Sequence, residues 1–73
     1  GALGIMTITP SEGAIIGADI ATKAAEVDIV FVDRFNGSLI LNGDVASVET
    51  ALKNVLDTLD QLLQFSPTII TKT

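Results

Sequence analysis

Seventy-three residues carry nine acidic and four basic side chains, a net charge of −5, with no cysteine and no histidine. These counts exclude disulfides and thiolate or imidazole metal ligands, and four scattered cations argue against phosphate-tracking contact with nucleic acid or an anionic membrane surface. With 48% apolar residues and a mean hydropathy of +0.56, one domain of this size cannot bury all its apolar surface alone, so composition points to a permanent oligomer over a well-packed monomer.

Ala2 to Thr9 alternates Leu3, Ile5 and Thr7 with Gly4, Met6 and Ile8, which predicts a first strand. Gly4 leaves room for a close approach to its backbone. Thr9-Pro10-Ser11-Glu12 predicts a helix start, with Thr9 as N-cap, Pro10 in the first turn and Glu12 closing a capping box. The helix is expected to reach about Ala25. It is rich in small residues (Gly13, Ala14, Gly17, Ala18, Ala21, Ala24, Ala25), with Ile15, Ile16 and Ile20 as its bulk. Two interior glycines cost about 1 kcal/mol each relative to alanine. Close packing on a sheet or a neighbouring subunit would offset that cost. Asp19 and Lys23 form an i,i+4 pair on the charged side.

Val27 to Asp44 predicts strand, tight turn, strand. Val27, Ile29 and Phe31 are expected on one face, with Asp28, Val30, Val32 and Arg34 on the other. Asn36-Gly37 predicts a type I′ turn. Leu39-Ile40-Leu41 is wholly apolar and is expected to be covered on both faces. Asp44 is placed to cap a second helix. Its stripe of Val45, Val48, Ala51, Leu52, Val55, Leu56, Leu59, Leu62 and Leu63 recurs at three and four. Glu49, Lys53, Asp57, Asp60 and Gln61 make the wet face. Phe65-Ser66-Pro67 ends the helix, and Thr68 to Thr73 reads as a last strand. The order β-α-β-β-α-β in one domain over residues 1–73 is α+β and ferredoxin-like, an antiparallel sheet with two helices on one face.

The residue inventory is poor in chemistry. Asp28 and Asp33 differ in parity, which on a regular strand puts them on opposite faces and prevents a carboxylate pair. No serine has a nucleophile context, and no histidine is present to serve it. Gly13-x-x-x-Gly17 lies inside a helix and is no phosphate loop. Asn42-Gly43-Asp44 cannot open a calcium loop, because Ala46 and Lys53 fall where ligands would be needed. The expectation is no enzyme, no cofactor and no metal. No run is long enough to span a bilayer, and no basic signal-peptide start is visible. Phe35 beside the polar turn either folds back onto the core or faces a partner or symmetry axis.

Four segments in order carry a family likeness: Gly4-Ile5-Met6-Thr7-Ile8-Thr9-Pro10-Ser11-Glu12, Asp19-Ile20-Ala21-Thr22-Lys23-Ala24-Ala25, Asp33-Arg34-Phe35-Asn36-Gly37, and Gly43-Asp44-Val45 with Val48-Glu49 and Ala51-Leu52. Together they resemble a bacterial microcompartment shell protein (a BMC domain) of the circularly permuted type found in propanediol- and ethanolamine-utilisation shells. The resemblance implies cyclic homohexamers that tile with other shell proteins around encapsulated enzymes in the bacterial cytoplasm. It places Phe35, Asn36 and Gly37 at a central metabolite pore, and Lys23 with Asp19 at the edge between hexamers. Members of that type carry an N-terminal segment that forms a small β-barrel over the pore. This sequence starts where that segment ends, so the barrel is expected to be missing. Thr68 to Thr71 is then expected either to fill the sheet or to pair with another chain. A competing reading is a ferredoxin-like regulatory module that binds a small ligand as a dimer.

Overall fold

The computed structural model describes residues 1–61 and 64–71. Six elements follow one another: β1 (Ala2–Thr9), α1 (Gly13–Ala24), β2 (Asp28–Asp33), β3 (Ser38–Gly43), α2 (Val45–Gln61) and β4 (Ser66–Thr71). The strands form one sheet in the order β2-β3-β1-β4, every pair antiparallel. This is the expected ferredoxin-like α+β arrangement. Ala2, Met6 and Ile8 of β1 and Leu39 and Leu41 of β3 face the helices. There they meet Ala21 of α1 and Val48, Ala51, Leu52, Val55 and Leu59 of α2. A fully buried large apolar side chain contributes roughly 1.5–3 kcal/mol, and Met6, Ile8, Leu39, Leu41, Leu52, Leu59, Val48 and Val55 are all in that state.

The glycines of α1 do what their cost demanded. A Cβ on Gly13 would collide with the Phe65 ring and with Ile8, and one on Gly17 would stand 3.0 Å from Ile8 and 3.2 Å from Val55. Those two positions let α1 lie close to β1 and α2 at once. Ile15 and Ile16, on the other side of the helix, stay exposed while Ile20 packs against the core.

Several expectations are corrected. Thr9 does not cap α1: β1 runs through Thr9, which pairs with Ser66. The N-cap is Glu12, without a side-chain hydrogen bond. The entry turn is instead made by the backbone, Gly13 N–H donating to Pro10 O (3.0 Å) and Ala14 N–H to Ser11 O (3.1 Å). The Asp44 cap is present, its Oδ1 accepting the Ser47 N–H at 2.8 Å. That hydrogen bond holds the Asp44 carboxyl below its ordinary value. Val45 stands outside the apolar stripe and is exposed. Leu62 and Leu63 lie outside the described residues, as do Lys72 and Thr73.

The parity expected of β2 also fails. Ile29 pairs with Leu41, but Phe31 pairs with Ile40, so Val30 is an extra residue at a bulge. Past it the faces swap. Val32 joins Leu39 on the helix side, and Phe31 joins Ile40 on the open side. Asp28 and Asp33, opposite Asn42 and Ser38, therefore share the open face, at the two ends of the strand. Ile40 is accordingly only half-buried, between Leu39 and Leu41 which are buried. No helix is long and apolar enough to cross a membrane among the described residues.

Candidate functional site

The β2–β3 turn is built by Asp33. Its Oδ1 accepts the backbone N–H of Phe35 (2.8 Å) and of Asn36 (3.3 Å), and its Oδ2 accepts Asn36 Nδ2 (2.7 Å). Gly37 N–H closes the loop on the Asp33 carbonyl at 2.8 Å. The Phe35 N–H foremost, then the Asn36 side chain, hold the Asp33 carboxyl below its usual range. The expected type I′ turn is absent. Four residues, Arg34 to Gly37, separate the paired Asp33 and Ser38. Only Gly37 has positive φ (+77°), not Asn36. A carboxylate that satisfies two successive N–H groups supports a longer loop, and this Asx-type signal in Asp33-Arg34-Phe35-Asn36 was legible beside Asn36-Gly37.

The loop is fixed to the rest of the fold through Gly37. Ile8 N–H donates to Gly37 O at 2.8 Å. A Cβ on Gly37 would collide with Ile8 O and stand 3.1 Å from Ser11 Cα. Gly37 is therefore buried, while Phe35 and Asn36 project. Phe35 is 81% exposed and touches no core, with the Arg34 guanidinium 5.4 Å from its ring centroid. Of the two expectations for Phe35, packing onto the core is the one ruled out.

Beside this loop lies a shallow cleft of about 370 Å³, lined by Ile15, Phe31, Val32, Asp33, Arg34 and Phe35. Sequence reasoning missed it, because Phe31 and Val32 were assigned faces without the bulge. The Asp19–Lys23 pair sits elsewhere, near the end of α1. Lys23 Nζ donates to Asp19 Oδ2 at 3.1 Å, with both side chains largely in solvent. Gly43 lies against Glu26 and Val27, just past that helix end, whereas Ser38 adjoins the Phe35 loop. Five residue steps along β3, about 17 Å, separate the two regions in a molecule 28 × 22 × 18 Å in extent. The structure thus brings Phe35, Asn36 and Gly37 together at one end of the sheet and leaves Asp19 with Lys23 at the other.

A family model described as the BMC domain matches residues 2–72. The chain belongs to the BMC-domain family. Among its relatives, the bacterial microcompartment shell protein PduU of Salmonella typhimurium is 56% identical over 72 residues, covering 99% of this BMC domain and 62% of PduU. The shell protein CutR of Streptococcus intermedius is 53% identical, with the same coverage on both sides. This BMC domain thus spans about three-fifths of the length of those relatives. A solved CutR flat hexamer superposes with a TM-score of 0.86 at 53% identity, over 90% of this chain and 56% of that one. A CutR dimer with a domain swap superposes with a TM-score of 0.84 at 49% identity, over 97% of this chain and 72% of that one.

Proposed function

We propose that this BMC domain is the tile-forming part of a microcompartment shell protein, one domain over residues 1–73 that assembles as a cyclic homohexamer. The observation that carries the reading is its likeness to a CutR chain that forms a flat hexamer, at 53% identity and a TM-score of 0.86. Physical features agree with it. Phe31, Val32, Ile15 and Phe35 are all more than a third exposed, apolar surface that a neighbouring subunit would cover. The Phe35 loop and the Lys23 end stand at opposite ends of β3, as a six-fold axis and an outer rim require.

In this reading Phe35 and Asn36 line a central pore, and Gly37 lets their loop pass close to Ile8. Lys23, oriented by Asp19, contacts the next hexamer. The acidic balance of the chain, −5, biases such a pore mildly against anions. The function is structural, not catalytic: a partition between encapsulated enzymes and the bacterial cytoplasm, made with other shell proteins. The circularly permuted order, with the N-terminal barrel segment of that type, belongs to the same reading. Electron microscopy of concentrated protein tests the tiling. Extended sheets with hexagonal order are expected, and Lys23→Ala should reduce their extent while leaving isolated rings. Rings that fall apart in Lys23→Ala would place that side chain inside the ring interface instead.

A further inference from the structure

β4 is an edge strand of the sheet, as β2 is on the other side. Ser66, Thr68 and Ile70 are exposed, Pro67 and Ile69 are half-buried, and none of these five is fully buried. The strand pairs only with the outer edge of β1, through Thr9↔Ser66, Ile8↔Pro67, Thr7↔Thr68 and Met6↔Ile69, before a bulge puts Ile70 outside the ladder. The chain enters β4 through Gln64, which has φ +58° and is the single non-glycine residue of positive φ among the described residues. A Cβ-bearing residue adopts that conformation at a cost glycine does not have. Immediately after it, Phe65 N–H donates to Leu59 O at 2.8 Å, and the Phe65 ring fills the space left by Gly13.

We propose that the outer edge of β1 is a docking site for β4 of a second copy of this chain, with Gln64 as the hinge. Extending the backbone at Gln64 removes its left-handed conformation. The β1–β4 ladder and the contact of Phe65 with Gly13 then re-form between two chains, each lending its strand to the other. Every backbone group satisfied within one chain is satisfied across the pair, so hinge strain tips the balance towards exchange and dilution tips it back. An unoccupied β1 edge would leave a row of N–H and C=O groups open, which is why release of one β4 calls for another. A CutR chain 49% identical to this one forms a domain-swapped dimer, so the family's fold accommodates exchange.

The chain has no cysteine, so a disulfide reports the pairing without background. Thr7→Cys with Thr68→Cys places one thiol on each strand at directly paired positions. After oxidation and denaturing, non-reducing electrophoresis, an unexchanged chain runs as a monomer and an exchanged pair as a covalent dimer. We expect a dimer band that grows with protein concentration before oxidation. Gln64→Pro, which cannot reach φ +58°, should raise its share several-fold, and Gln64→Gly should lower it. Monomer alone in the parent at every concentration would overturn the proposal. So would a dimer band indifferent to residue 64, since neighbours that meet without opening the hinge do not sense it. The native mass of the same samples reads the ring separately: six chain masses with a monomeric gel band would uphold the hexamer and overturn the exchange.

Discussion

Asp33 is only half-buried and yet organises the hairpin loop, so its effect is electrostatic and local. Its carboxylate accepts three hydrogen bonds, which depress its proton affinity in the folded state. Asp44 does the same at the start of α2. A depressed folded value means that stabilisation is present above the unfolded pKa, near the ordinary 3.8, and is lost as pH falls through the lower folded values. Thermal melts across a pH series should therefore show stability dropping on acidification below about 4. The double variant Asp33→Asn with Asp44→Asn should melt lower at neutral pH and lose less on acidification. An unchanged acid limb would remove these two carboxylates from the explanation. Gly37 is the opposite kind of residue, buried and backbone-limited. Gly37→Ala should cost more than about 1 kcal/mol in denaturant unfolding, because φ is positive and Ile8 O occupies the Cβ direction. Phe35→Ala should change stability by less than about 0.5 kcal/mol, as for other exposed positions. A loss of several kcal/mol would show that the ring is part of a core.

Elements with one dominant signal were legible in the sequence, and those shaped by a partner strand were not. The stripe of α2 from Val48 to Leu59 and the Asp44 cap need only the helix's own period, and both stand in the structure. The small residues of α1 announced close packing, and Gly13 and Gly17 meet Ile8, Phe65 and Val55. The start of α1 was misplaced because pairing of Thr9 with Ser66 keeps β1 extended past the cap position. The faces of β2 were misassigned because a bulge at Val30 is a property of the β2–β3 ladder, invisible in either strand alone. The apolar cleft followed the same error. Packing of α1 carries its own test. Gly13→Ala gains helix propensity of about 1 kcal/mol, yet crowding against Ile8 and Phe65 should make the variant less stable than the parent in urea unfolding, as overpacking typically costs 1–3 kcal/mol. A more stable variant would mean that the Phe65 ring moves aside freely.

At the scale of the whole molecule, one sheet carries helices on one face and leaves Leu3, Phe31 and Ile70 exposed, with Ile5 and Ile40 half-buried. Together with the cleft by Ile15, this is more apolar surface than an isolated small domain usually keeps. In the proposed ring, neighbouring copies would cover part of it. The exposed Asp19–Lys23 pair contributes only a few tenths of a kcal/mol to one chain. Native mass spectrometry, with light scattering as the check in solution, bears most directly on the central claim. A dominant species at six times the 7.6 kDa of one chain is the expected result. A monomer or a dimer at the same concentration, with no larger species, would contradict the ring.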